Sequence, residues 1–427
     1  MQYSIAMLSV HTSPLDSPGR TRDAGGMNVY MRELAHELGK RRTTVDIFTR
    51  WTNEQQPRIV QLSPSVRVIH IKAGPLAPIA KQDLYEYLPT FTQRIDEFRR
   101  GEATEYDILH SHYWLSGVAA MRLAQRWHIP HVTMFHTLGR LKQLARPGEP
   151  EPPLRLDMER RLISQADCII ATTNDERMQM IRHCGAAASR IHVIPCGVDL
   201  KHFVAQNKQR ARQELGLQQE RPVLLFVGRL DPFKGPDLLL RAASLMEEDA
   251  QVVIVGGKLT GDEELQQLRA LATDLNISRR VKFLGARARK EMPMIYSAAD
   301  VTVLPSYHES FGLVAVESLA CDTPVVATRA GGLTSIVQHA ETGYLVPRCP
   351  GFFAERLDAL LRDPGLLAEM QSKARASVLQ FSWKNIASQM LEVYEELVRL
   401  QGQGQFSLTC PPDGVPYYET PYEAAVG

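Results

Sequence analysis

The chain has 427 residues, enough for two or three domains, and its 44% hydrophobic and 23% charged residues are ordinary for a globular protein. A net charge of +1 gives no bulk attraction to nucleic acid or an anionic membrane, and no apolar run approaches the ~20 residues that cross a bilayer. The six cysteines (Cys168, Cys184, Cys196, Cys321, Cys349 and Cys410) are scattered with no CxxC pair, which argues against a disulfide framework or zinc site. Free thiols are expected, and because Met1 runs into YSIAMLSV without the basic lead of a secretory signal, so is a cytoplasmic location.

In chain order, short apolar segments alternate with longer amphipathic ones. Strands are predicted over 3–10, 45–50, 66–71, 107–112, 131–137, 168–173 and 191–197, then over 222–230, 251–257, 281–286, 300–306, 324–330 and 343–347. Many are unbroken apolar runs, as suits parallel strands covered on both faces. Helical patterns fall between them, at 27–40, 236–248, 262–274 and 313–321. This alternation predicts an α/β chain with two doubly wound, Rossmann-like sheets. The polar stretch CGVDLKHFVAQNKQRARQELGLQQERP separates two similar series, so the expected boundary lies near residue 200, with domains over 1–200 and 201–380. A final helix and tail over 381–427 are expected to pack back toward the first domain, the Gly-, Pro- and Tyr-rich tail as an extended strap. Ligands of such sheets bind beyond the carboxyl ends of the strands, which puts the expected site in a cleft between domains.

Three stretches carry chemistry. In RDAGGMNVYMRELAHEL, Gly25 and Gly26 abut a helix start, where the lack of a Cβ lets backbone amides approach a ligand. In FVGRLDPFKGPDLLLRA a buried strand leads to a loop with Arg229 and Lys234 and then to a helix, an arrangement suited to a diphosphate. In LPSYHESFGLVAVESLACDTPVVAT a strand leads to Glu309 on a loop and Glu317 on an apolar helix, eight positions apart. A carboxylate at Glu317, among Val314, Val316 and Leu319, needs polar partners such as ligand hydroxyls.

Together these motifs resemble the retaining glycosyltransferases of family 4, whose fold is the two-domain GT-B type. The resemblance runs from GGMNVY to the helix near 383–399. It implies that Arg229 and Lys234 neutralise the donor diphosphate, that Glu309 holds the donor sugar and that Glu317 binds the ribose. Ser310, Phe311, Gly312, Leu313 and Val314 would line the donor site with backbone amides, the loop LGARARKEM around Arg287 would cover the base, and Gly25 and Gly26 would form the opposing lip. The family features point to a UDP-sugar, with no required cofactor and no catalytic metal ligand; Mg²⁺ is at most stimulatory.

On the acceptor side the resemblance points to Asn28, Lys81, Tyr113, Thr137, Lys142 and Arg155, a set of cations and hydroxyls able to hold a phosphate monoester. His136 would orient the sugar by a hydrogen bond. Two branches of the family use phosphorylated acceptors. HTSPL, DAGGMNVY and HSHYWLSG are similar to the branch that transfers N-acetylglucosamine to inositol phosphate. HTLGRLKQL, with Lys142 as phosphate ligand, is similar to the sucrose-phosphate synthases, which join a nucleotide-glucose to fructose 6-phosphate. With a composition less rich in Ala, Val and Arg than the first branch leads one to expect, the sequence favours sucrose-phosphate synthesis. A non-catalytic nucleotide-sugar sensor and a sugar-nucleotide epimerase are the other readings. The intact Arg229, Lys234, Glu309 and Glu317 set speaks against the sensor, and the double-glycine loop with the acceptor-side cations speaks against the epimerase. A dinucleotide oxidoreductase is weaker, because DAGG stands where GxGxxG would open the first helix.

Overall fold

The apolar runs pair as two sheets. The computed structural model describes residues 2–16, 25–146, 148–259 and 261–403, so Arg22, Asp23 and the tail beyond 403 lie outside the described residues. The first sheet contains β1 (Tyr3–Ser9), β2 (Thr43–Arg50), β3 (Ile59–Ser63), β4 (Val66–Ile71), β5 (Ile108–His112), β6 (His131–Met134), β7 (Cys168–Ala171) and β8 (Ile191–Val193), in the order β3-β4-β2-β1-β5-β6-β7-β8. The second contains β9 (Val223–Val227), β10 (Gln251–Val255), β11 (Val281–Gly285), β12 (Val301–Leu304), β13 (Val325–Thr328) and β14 (Gly343–Val346), in the order β11-β10-β9-β12-β13-β14. Pairing is parallel except between β3 and β4.

Both orders reverse next to their first strand. The first sheet grows one way from β1 through β2 and the other way through β5, and the second does the same from β9 through β10 and β12. A crevice opens at each reversal, because the connections leave on opposite faces of the sheet. The loops beyond β9 and β12 are the GRLDPFKG and HESFG segments, so the topology alone gathers them.

Three local departures from expectation have physical causes. Strand β3 was not expected, because IVQLS is short, of mixed polarity and largely accessible at the antiparallel edge. The strand expected over 131–137 stops at Met134, since His136 adopts a left-handed φ of 58° that leaves the extended region. The segment expected as a strand to 197 leaves the sheet after Val193 to cross to the second sheet.

The chain crosses between sheets twice at one place. The Val198 amide donates to the Phe381 carbonyl at 2.7 Å, and Val198 bridges to Ser382. The helix Trp383–Gly402 then returns to the first sheet. Arg41 donates to the Lys384 carbonyl at 2.6 Å, and the Tyr394 hydroxyl lies 2.6 Å from His110 Nδ1. Trp383 wedges between Tyr30, whose ring is 5.5 Å away edge-on, and Gly197. Its buried indole joins one apolar core that runs from Ile5 and Met7 to Phe311 and Phe381.

A Cβ at Gly197 would lie 2.3 Å from the Trp383 ring, which Tyr30 prevents from retreating. Gly197→Ala is therefore expected to lower the unfolding free energy by about 1–3 kcal/mol through overpacking, as measured by urea denaturation. An unchanged denaturation midpoint would show that the crossing is not tightly packed.

Candidate functional site

The second sheet builds one half of the cleft. After β9, Gly228 leads to Arg229, whose side chain is half exposed and lies 3.2 Å from the Asp231 carboxylate. Gly235, at φ 75°, lets the chain turn into the helix Pro236–Leu245; a Cβ there would meet the Pro305 carbonyl at 2.4 Å. This close approach places Lys234 beside the loop after β12. Its Nζ lies 2.7 Å from Glu309 Oε1, which also accepts from the Ser306 hydroxyl at 2.9 Å. Burial pushes the Glu309 carboxyl upward, but the Lys234 ammonium and the Ser306 hydroxyl prevail and hold it below the usual carboxylate range. The Gly332 amide fixes the same loop by donating to the Glu309 carbonyl at 2.7 Å.

Gly312, at φ 106°, caps the helix Leu313–Ala320. The amides of its first turn, those of Leu313 and Val314 among them, have no carbonyl one turn back within the helix, so they and the helix dipole suit an anion. Glu317 follows one turn later and accepts from the Tyr296 hydroxyl at 2.8 Å. Burial raises its carboxyl to about 7 against the pull of Tyr296 and Arg289, with Glu33 adding to the rise. Arg287 stays local: it donates to the Leu284 carbonyl at 3.1 Å and lies 3.3 Å from Glu291. The residue of that loop that spans the cleft is Arg289, which pairs with Glu33 of the first domain.

The first sheet supplies the facing wall. Gly26 opens the helix Gly26–Gly39, and a Cβ on it would meet the Leu313 side chain at 3.0 Å; Gly25 has open space there. Asn28 is held internally at the start of that helix. It is fully buried, donates to Thr12 Oγ1 at 2.7 Å and the Ser13 carbonyl at 2.5 Å, and accepts from the Gly25 amide at 3.0 Å. Its amide ties the loop after β1 to the helix start.

His136 stands at the contact between the halves. Its carbonyl accepts from the Ser310 hydroxyl at 2.8 Å, while the Thr172 hydroxyl donates to the Ser310 carbonyl at 2.7 Å. Its Nε2 lies 3.0 Å from His112 Nδ1, and the His112 and His110 rings are 4.3 Å apart. Burial, with His11 adding to it, lowers His136 to about 3, and burial first of all does the same to His110, so both rings are neutral near pH 7.

The remaining acceptor-side residues gather around Tyr113, which caps the helix Trp114–Trp127 at φ 74°. Lys81 Nζ lies 5.5 Å and the Arg155 guanidinium 5.1 Å from the Tyr113 ring. Arg155, on the helix Pro153–Gln165, donates to the Thr137 carbonyl at 2.8 Å, to Glu159 at 2.7 Å and to Glu151 at 2.6 Å. Glu159 also accepts from the Gly139 amide at 2.8 Å, and Lys142 pairs with Glu151. The five residues therefore do come together, but two carboxylates already occupy Lys142 and Arg155.

Comparison with known proteins decides the family. Residues 24–202 match the family described as Glycosyltransferase Family 4, and residues 207–377 match Glycosyl transferases group 1. The D-inositol 3-phosphate glycosyltransferase of Xylanimonas cellulosilytica is 42% identical over 406 residues, covering 92% of this chain and 97% of its own. That of Corynebacterium jeikeium is 42% identical over 405 residues, covering 92% and 96%. The chain belongs to glycosyltransferase family 4.

Among solved structures, the sucrose-phosphate synthase from Thermosynechococcus elongatus superposes with a TM-score of 0.86 at 34% identity, covering 93% of this chain and all of that one (100%). Anabaena HepE, with a TM-score of 0.73 at 23% identity over 93% of this chain and 100% of its own, shares the fold. The two sheets are thus the halves of a GT-B glycosyltransferase that uses a nucleotide sugar. Among the described residues no helix is long and apolar enough to cross a membrane, and no three His, Cys, Asp or Glu side chains gather as metal ligands.

For a family 4 enzyme, four features went unread in the sequence. Residues 110 and 112 alternate onto one face of β5, so HSH placed two histidines behind His136, and that spacing was a usable signal. Glu151 and Glu159 stand four residues before and after Arg155, an i,i+4 spacing that was also a usable signal, whereas Arg289 carried none because its partner Glu33 is set by a tertiary contact.

Glu317 gives a test of the site's electrostatics. Its folded-state value of about 7 exceeds the unfolded value of about 4.5, so the folded form holds the proton more tightly. The resulting stabilisation is complete below about pH 4.5 and is lost as pH rises toward 7. Relative to the native chain, Glu317→Gln should therefore gain on the order of 2 kcal/mol between pH 4.5 and 7.5 in urea denaturation. A pH-independent difference would mean that Glu317 is well solvated.

Proposed function

We propose that this glycosyltransferase moves a sugar, with retention, from a UDP-sugar to a phosphorylated polyol, and that the acceptor is an inositol phosphate and the sugar N-acetylglucosamine. The observation that carries the choice is the agreement of the relatives at 40–42% identity, which are D-inositol 3-phosphate glycosyltransferases. It weighs against the preference for fructose 6-phosphate drawn from HTLGRLKQL. That preference leaned on Lys142, and in the structure Lys142 is held by Glu151 beside Arg155, so it does not separate one phosphate ester from another. Transfer of glucose to fructose 6-phosphate is the second reading, supported by the likeness to the sucrose-phosphate synthase at 34% identity.

In this reading the donor diphosphate lies between Arg229, Lys234 and the amides at the start of the helix Leu313–Ala320, where developing negative charge on the leaving group is stabilised without a metal. Glu309 leaves Lys234 to hold sugar hydroxyls, and Glu317 takes the ribose. The acceptor's phosphate lies among Lys81, Tyr113, Thr137, Lys142 and Arg155, which fixes its hydroxyl against the sugar carbon. With Glu309 engaged by sugar hydroxyls, no carboxylate is left for attack on the sugar carbon, so a same-face substitution fits better than a double displacement: the departing diphosphate takes the acceptor hydroxyl's proton. His136, neutral and held by His112, orients the sugar.

Two measurements test this. UDP-N-acetylglucosamine and UDP-glucose, each offered with inositol phosphate and with fructose 6-phosphate, should give a product detectable by mass for the first donor with inositol phosphate. Turnover only with fructose 6-phosphate would reinstate the second reading, and turnover only with unphosphorylated acceptors would overturn both. Lys234→Ala should lower kcat by roughly 10²–10³ with an unchanged circular dichroism spectrum, as for loss of one preorganised charge at a leaving group. Near-native kcat would remove Lys234 from the diphosphate site.

A further inference from the structure

Each nitrogen of the Arg155 guanidinium has a partner within the protein. Its Nε donates to Glu159 at 2.7 Å, Nη1 to Glu151 at 2.6 Å and Nη2 to the Thr137 carbonyl at 2.8 Å. Glu151 uses its second oxygen for Lys142. One carboxylate thus bridges the two cations, as one oxyanion of a phosphate would. Glu151 is also buried, with 8% of its surface exposed, so its charge depends on those partners for solvation.

The two carboxylates are not equivalent. Glu159 lies one turn along the same helix as Arg155 and is pinned by the Gly139 amide at 2.8 Å. Glu151 precedes the first turn of that helix, outside regular structure, and both of its ion pairs are to side chains expected to bind the acceptor. We propose that Glu151 is an internal stand-in for the acceptor's phosphate, displaced from Lys142 and Arg155 when the acceptor binds, and that this exchange makes the pocket selective for dianionic phosphate esters.

The selectivity follows from charge. A phosphate monoester carries about −1.5 to −2 at neutral pH and three acceptor oxygens, against a single charge and two oxygens for the carboxylate it replaces. A dianion gains more from the two cations than Glu151 loses, whereas a carboxylate ligand gains no more than Glu151 and a neutral polyol gains less. Glu159 meanwhile keeps the guanidinium plane aimed while its other edge changes partner. The inference rests on the acceptor pocket assigned above, and it concerns a residue that discriminates between ligands rather than one that reacts.

The test is calorimetric titration with inorganic phosphate, and separately with acetate, of the native chain, Glu151→Gln and Glu151→Asp. Removing the competing charge should tighten phosphate binding in Glu151→Gln by about tenfold, roughly the worth of one charge-assisted hydrogen bond. Acetate should bind measurably only to that variant. Glu151→Asp, too short to bridge both cations, should fall between the two and carries the test if the Gln variant does not fold. Equal or weaker phosphate binding by both folded variants would overturn the exchange while leaving the phosphate pocket intact. Phosphate binding to none of the three would instead overturn the pocket, and the exchange with it.

Discussion

The ion pair between Lys234 and Glu309 is the interaction on which the second half of the site depends. It joins the loops beyond β9 and β12, the neighbouring strands between which the order of the second sheet reverses. The pair cannot form without two backbone concessions. Gly235 turns at a positive φ under the Pro305 carbonyl, and Gly332 brings its amide to the Glu309 carbonyl. Once formed, it holds a carboxylate ionised where burial alone would favour the proton. Sheet topology brings the two loops together, the glycine turns allow their close approach, and the charges then meet at the mouth of the crevice.

The same economy of charge recurs across the cleft. Arg155 is set between Glu151 and Glu159, Arg289 is set on Glu33, and Glu317 is set on the Tyr296 hydroxyl. An isolated buried charge is costly, so each ligand-binding group in a ligand-free protein needs an internal partner. In the function proposed above, ligand binding would be partner exchange rather than the filling of vacant positions. Only the difference between internal and external partners contributes to affinity, which converts a non-specific attraction for anions into a comparison between them.

The fold was legible because its signals are local. Unbroken apolar runs such as PVLLFV and QVVIV mark parallel strands, and a strand leading into Gly, a cation and a helix marks the crevice. The edge strand β3 escaped because an edge needs little apolar surface. In the site, the pattern led to Lys234, Glu309 and Glu317 through motif order, and to the cluster around Tyr113 through residue type. It did not show that Asn28 ties down the loop after β1, since a polar residue at a helix start looks the same whatever it bonds to. It missed Arg289 because an ion pair between distant segments leaves no trace in either one, and it passed over Glu151 although Arg155 lies only four residues on.

The final helix connects these ideas. Its first residue, Trp383, packs where the two sheets exchange chain, and its Tyr394 hydroxyl reaches His110. From there His112 leads to His136, and the His136 carbonyl meets Ser310 of the opposite half. The column thus runs from the covalent crossing to the polar contact between domains. Its rings are neutral because burial denies them protons, and an imidazole held near 3 is a weak base at neutral pH. Such a ring can still donate or accept one directed hydrogen bond, with its orientation fixed by His112 and the edge of Tyr30. The physical setting of His136 therefore suits a positioning role better than that of a base, in keeping with the proposed mechanism, in which the leaving diphosphate takes the acceptor's proton.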